Sequence, residues 1–317
     1  MILENFKVIT INNPIDNIKV ERKEIHISLK EIAEVITICE MESQKNNPDF
    51  NIVASGWLHL LNHLPVPMYY YDISHSVIRA RANVDDEIFK HIDDISYNKT
   101  KPHLCKLGRF NLEGEGIFYG AVPTSNEVSN GSVTTIVESY KELLDSKNVE
   151  ISKYFTLGKW IVKKKFPLAV LTFSKDAYGK SPEVKNTNPI YTDFLNQMYS
   201  PENMKKLNIF YEFLSHAAGK KIDSQANYFL TTSFYHALRY YYGNEIGILY
   251  SSSSTENCGL NMVLSKKLID EKFIELEFAI MFKCQRWHED NKQFTILPCS
   301  NKSLPDLEGK LNFNVDF

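Results

Sequence analysis

Long apolar runs are missing from this chain of 317 residues. No stretch approaches ~18 consecutive apolar residues, and the start, Met1-Ile2-Leu3-Glu4-Asn5, lacks a basic segment followed by an apolar core. Neither membrane spanning nor secretion is indicated, and a cytoplasmic location is the expectation. Cysteine is sparse: Cys39, Cys105, Cys258, Cys284 and Cys299 are scattered, odd in number and without a CxxC pair, which argues against a disulfide frame or a zinc site. Glycine-rich phosphate motifs are absent too, since neither GxGxxG nor a P-loop occurs, so Rossmann and Walker readings have no support. A net charge of -3 supplies no general attraction for a polyphosphate chain, which excludes broad nucleic-acid binding from the expectations. What remains, at 43% hydrophobic and 24% charged residues, is the balance of an ordinary globular protein.

Arginine is also scarce, and its placement is informative. Of six arginines, Arg79, Arg81 and Arg109 fall in one window, although lysine predominates elsewhere. Lysine serves a solvated face, so the clustering points to sites that use the planar guanidinium fork on carboxylate or phosphate. The window runs through Ile78-Arg79-Ala80-Arg81, Gly108-Arg109-Phe110-Asn111, Gly114, Phe118-Tyr119-Gly120 and Thr134-Thr135-Ile136-Val137-Glu138.

Periodicity organises the rest. Leu29, Ile32, Val35, Ile36 and Cys39 have helical spacing, with Ser28 as cap and Glu31 three residues on. A second helical run around Trp57 stops before Pro65-Val66-Pro67, so residues 1–72 read as a helical N-terminal region. Ser76 to Ile78, Gly116 to Tyr119, Phe166 to Phe173 and Ile246 to Tyr250 read as strands, Glu275 to Phe282 and Phe294 to Leu297 as weaker ones. Thr134 to Leu144 and Ser224 to Tyr242 read as helices, and residues 188–218 as a helical insertion broken at Ser200-Pro201. His59 and His63 lie four apart, but Leu60 follows His59, so the glutamate of HExxH is missing and no metal is expected.

Cleaving the nicotinamide-ribose bond of a dinucleotide needs cations for its pyrophosphate, an aromatic face for a base, and a carboxylate that stabilises positive charge on the sugar. Arg79, Arg109, Tyr119 and Glu138 supply these groups. Their convergence is not readable from spacing.

The same segments resemble the RES-domain family, named for Arg, Glu and Ser residues. Arg79 matches the first family arginine, Arg109 that of a Gly-Arg-aromatic-Asn element, Glu138 the glutamate of a Thr-Ala-x-x-Glu element, and Tyr250-Ser251-Ser252 the serine element, followed by Gly259-Leu260-Asn261-Met262-Val263-Leu264. The likeness covers residues 74–266. Thr135 replaces the usual Ala and Ser251 the usual Pro, so Ser251, Ser252 and Ser253 compete for the serine position, with Thr231, Thr232 and Ser233 as rivals; Ser252 is preferred.

The resemblance implies an α+β fold with a small mixed or antiparallel sheet like that of ADP-ribosyltransferases, in a catalytic domain over residues 73–317. It implies degradation of NAD as a substrate, by phosphorolysis with inorganic phosphate or by hydrolysis, in a toxin of a toxin–antitoxin pair. Arg79 and Arg109 would hold phosphate, Glu138 would orient the ribose, Tyr119 would stack on nicotinamide, and Ser252 would bond ribose or carboxamide. The implied partners are NAD and an antitoxin protein, and the N-terminal helices offer a surface for regulation or homo-oligomer formation. The alternatives are transfer of ADP-ribose to a protein and a non-catalytic NAD-binding module.

Overall fold

Ser28 starts the first helix as its spacing predicts: its hydroxyl accepts the Glu31 amide at 3.1 Å, and α1 runs Leu29–Ser43. α2, Phe50–His63, opens on an Asp49 cap and ends before the Pro65-Val66-Pro67 segment. The computed structural model describes residues 23–84, 87–124, 131–144, 151–221, 225–286 and 294–315. Met1 to Asn5 and Ser224 therefore lie outside the described residues.

The remaining elements are β1 (Met68–Tyr71), β2 (Ser76–Ala82), α3 (Ile92–Ile95), β3 (Phe118–Ala121), α4 (Gly131–Ser139), β4 (Ile151–Val162) and β5 (Phe166–Leu171). These are followed by α5 (Pro182–Met198), α6 (Pro201–Gly219), α7 (Gln225–Tyr242), β6 (Gly247–Ser251), β7 (Leu260–Leu264), α8 (Lys266–Asp270), β8 (Ile274–Arg286) and β9 (Thr295–Pro298). The fold is α+β with helices at its N-terminal side.

All strands join one sheet in the order β1-β5-β6-β7-β3-β2-β4-β8-β9. Nine strands exceed the small sheet expected, and β4 and β8, of 12 and 13 residues, enlarge it further with a long ladder. Every neighbour pair is antiparallel except β5 and β6. A parallel pair needs a long crossover, and α5, α6 and α7 supply it. The expected insertion at 188–218 is part of this crossover. It begins earlier, at Pro182, because Ser181 caps the helix and Pro182 takes its first position, leaving Pro189 inside α5. The break at Ser200-Pro201 is present, with Ser200 capping α6.

Helices α1, α2, α6 and α7 pack one face of the β5–β6–β7 half, burying Ile32, Trp57, Leu60, Phe210 and Phe234 against Ala169, Ile248 and Val263. Trp57 is fully buried, and its indole N–H reaches the Leu230 carbonyl at 3.2 Å. On the β2–β4 half the same layer is continued by α4, whose Ile136 packs on Ala80, Phe155 and Leu157. The opposite face buries Phe118, Trp160, Phe166 and Met262. Among the described residues, no helix is long and apolar enough to cross a membrane.

Candidate functional site

β2 and β3 are neighbours that pair only at Ile78 and Ala121. Beyond that point the ladder opens, and the backbone groups it would have joined need other partners. Arg79 fills this role: its Nη1 donates to the Tyr119 carbonyl at 2.5 Å and its Nε to the Ile95 carbonyl at 3.1 Å. The guanidinium also lies 5.0 Å from the Phe118 ring centre. Burial, followed by the charge of Arg81, pulls the Arg79 guanidinium down to about 10, so it remains cationic at neutral pH. Its Nη2 has no hydrogen-bond partner among the described residues. Two residues on, Arg81 is exposed, donates to the Asp94 carbonyl and stands over Phe89.

Across the opening, the Gly108-to-Asn111 turn is clamped by Tyr119. The phenol donates to Asn111 Oδ1 at 2.9 Å and accepts the Phe110 amide at 2.9 Å. Gly108 is required here because an added Cβ would fall 2.3 Å from Asn111 Oδ1. Thr231 and Thr232 of α7 donate to the carbonyls of Arg109 and Gly108, so these rival residues hold the turn. Burial, then the nearby Tyr250, pushes the Tyr119 phenol well above its ordinary value, which keeps it neutral as a clamp.

Arg109 departs from its expected role. Its guanidinium is buried and caps the C-terminus of α6, with Nη1 2.5 Å from the Ala218 carbonyl and both Nη atoms within 3.2 Å of the Lys220 carbonyl. A cation suits the negative end of a helix, and these contacts occupy the fork expected on phosphate. Arg109 lines the cavity while tying the turn to α6. The same loop is secured farther on by Glu115, which accepts Arg239 at 2.7 Å and His236 at 3.0 Å on α7. Burial alone would raise the Glu115 carboxyl, but the His236 hydrogen bond and the Arg239 charge outweigh it and hold it down at about 2.

α4 ends at Ser139, short of the expected Leu144, and Lys141 to Leu144 form a separate 3-10 turn. Glu138 therefore sits in the last turn of α4. Its Oε1 accepts two donors, Ser252 Oγ at 2.6 Å and Asn261 Nδ2 at 2.9 Å, while Oε2 has no partner among the described residues. Gly259 allows this approach, since a Cβ there would meet Thr134 Oγ1 of α4 at 2.2 Å. Thr135, in place of the expected alanine, donates back to the Gly131 and Ser132 carbonyls, so its hydroxyl is satisfied inside the helix.

Of the competing serines, Ser252 reaches Glu138, Ser253 accepts from Arg109 at 3.4 Å, and Ser251 is buried, its hydroxyl without a hydrogen-bond partner among the described residues. Ser233 belongs elsewhere, accepting from Trp57 and donating to Leu230. Ser252 is itself fully buried and absent from the cavity wall, so it orients Glu138 from behind rather than meeting a ligand as expected.

One cavity of about 560 Å³ brings Arg79, Arg109, Tyr119 and Glu138 together, with Arg81, Lys141, Tyr228, Tyr250 and Asn261. Sequence reasoning missed the last four as site residues. Tyr250 and Asn261 face each other across the β6–β7 ladder, a pairing that only the fold reveals. Burial and the Glu138 charge push the Tyr250 phenol upward, placing its hydroxyl beside the carboxylate as a neutral group. Four cations thus share the cavity with one carboxylate, an arrangement suited to a polyanion carrying a centre of developing positive charge. His59 and His63 lie elsewhere, their rings 5.1 Å apart, with His59 bonded to Glu31. Among the described residues, no group of three or more potential ligands is placed to hold a metal ion. Comparison with known protein families finds no model that matches this chain, and comparison with curated proteins finds no match.

Proposed function

We propose that this chain degrades NAD by cleaving the bond between nicotinamide and ribose. The observation that carries the reading is Glu138: one carboxylate oxygen is fixed by two neutral donors, and the other is open in a cavity whose remaining charged side chains are cationic. The resemblance to RES-domain proteins, which rests on the same Arg79, Glu138 and Ser252, supports it independently of that geometry.

In this reading the carbon–nitrogen bond breaks heterolytically. Its electron pair returns to the pyridinium nitrogen, so nicotinamide leaves neutral and needs no general acid. Positive charge then develops on the ribose, where the Glu138 carboxylate stabilises it. Water adds at the same carbon and loses a proton to give ADP-ribose, or phosphate adds to give the phosphorylated sugar. Arg79 through its open Nη2, Arg81 and Lys141 hold pyrophosphate oxygens. Tyr228 and Tyr250 provide aromatic surface for a base, whereas Tyr119 serves mainly as the clamp on the Gly108 turn.

The test is to incubate the purified chain with NAD, with and without inorganic phosphate, following nicotinamide release and the mass of the second product. Phosphate-dependent release identifies a phosphorylase, and release without phosphate a glycohydrolase. A labelled protein in place of a small product identifies ADP-ribose transfer. Absence of release overturns the proposal: binding without release leaves a non-catalytic module, and absence of both removes NAD as the ligand. Membership of a toxin–antitoxin pair is a further part of the proposal, checked by whether expression of the active chain arrests growth.

A further inference from the structure

Glu138 carries three rotatable side-chain bonds, and a carboxylate free to rotate would present either oxygen to a ligand. Here Oε1 is held by Ser252 at 2.6 Å and by Asn261 at 2.9 Å. The two anchors come from different places. Ser252 leads the turn after β6, while Asn261 is only 4% exposed in β7, paired with Tyr250 on one side and with Ala121 of β3 on the other. A side chain on a strand flanked by two ladders is a rigid post. Both donors are also uncharged: a lysine or arginine at either position would orient the carboxylate equally well but would cancel the negative charge that a sugar cation requires.

We infer that Asn261 is a positioning residue for the Glu138 carboxylate, fixing Oε1 so that Oε2 alone meets the bound ribose. This rests on the reading of Glu138 given above. Asn261 acts through Glu138, leaving the affinity for NAD to Arg79, Arg81 and Lys141. The charged and titratable groups sharing the cavity with the pair are Arg79 and Arg81 of β2, Tyr119 of β3, Arg109, Lys141, Tyr228 of α7 and Tyr250 of β6. They are the same in every variant compared below.

Asn261→Leu removes the donor at similar volume, and Asn261→Asp replaces it with a carboxyl that can donate only while protonated. In Asn261→Leu, kcat for nicotinamide release falls on the order of 10–100-fold with KM within about threefold, the signature of an interaction that matters in the transition state. In Asn261→Asp, two carboxyl groups in hydrogen-bond contact share a proton at acid pH and repel each other once both ionise. Its kcat therefore approaches wild type at the acid end and falls as pH rises, a loss absent from wild type and from Asn261→Leu. Retention of kcat in Asn261→Leu, or an Asn261→Asp profile parallel to that of wild type, overturns the inference.

Should wild type release no nicotinamide, the NAD reading fails on its own, and melting decides the contact. The folded Asn261→Asp pair binds its shared proton more tightly than the unfolded chain does. Its stability relative to wild type is then kept at acid pH and lost as pH rises, whereas the Asn261→Leu difference stays flat once the pH is above the ordinary carboxylate range. A flat difference for Asn261→Asp shows that Asn261 does not hold Glu138.

Discussion

A carboxylate saturated on one oxygen and open on the other is a directed acceptor, and at the residue scale this feature of Glu138 carries the proposed reaction. Glu138→Gln preserves shape and an oxygen for Ser252 but removes the charge. Nicotinamide release should fall by at least about 100-fold with the melting temperature little changed, as measured by product analysis and calorimetry. Arg109 leads to a different expectation. A lysine cannot span the Ala218 and Lys220 carbonyls, so Arg109→Lys should cost about 1–3 kcal/mol in urea unfolding. An unchanged stability with weakened NAD affinity would return Arg109 to the phosphate. Arg79 stood out in the sequence because arginine is scarce and clustered there, whereas Ser252, one of four consecutive serines, was singled out only by the resemblance to RES-domain segments. Asn261 did not stand out, because an asparagine between apolar residues carries no sign of which strand it will face.

At the element scale, the loop carrying the Gly108 turn is fastened to α7 by Glu115. The folded carboxyl is held near 2, below its ordinary value of 4.5, so its contribution to stability is present above about 4.5 and lost as pH falls toward 2. Glu115→Gln should lower stability at neutral pH by about 2–3 kcal/mol, with the gap from wild type closing across that acid window in urea titrations. A gap that persists at low pH would locate the effect in packing. The strand β4 shows why part of the fold was unreadable. Phe155, Thr156, Leu157 and Gly158 are buried in succession because both faces of the sheet are covered at its centre, so the alternation that marks a half-buried strand disappears. The capped helices α1 and α6 were legible for the opposite reason: Ser28 and Ser200 announce local geometry that needs no partner.

At the scale of the whole molecule, the N-terminal helices share the core of α6, α7, β5 and β6. Trp57→Ala leaves a large void and orphans the Leu230 and Ser233 contacts, which should cost about 3–5 kcal/mol in chemical denaturation. If the loss were below about 1 kcal/mol, α2 would be an appendage. The crossover that makes β5 and β6 parallel depends on residues far apart in the chain, which is why short periodicities identified its helices but not the large sheet they serve.

The opening between β2 and β3 has one more consequence. It divides the sheet into groups of five and four strands, joined along the ladder at Ile78 and Ala121, stapled by Arg79 and bridged by α4. Such a seam permits the two groups to open as separate cooperative units, each with its own amide-exchange rate. A ligand gripping Arg79 on one side and the Gly108 turn on the other would fuse them, so slowed and merged exchange across the seam would report occupancy without any chemistry taking place.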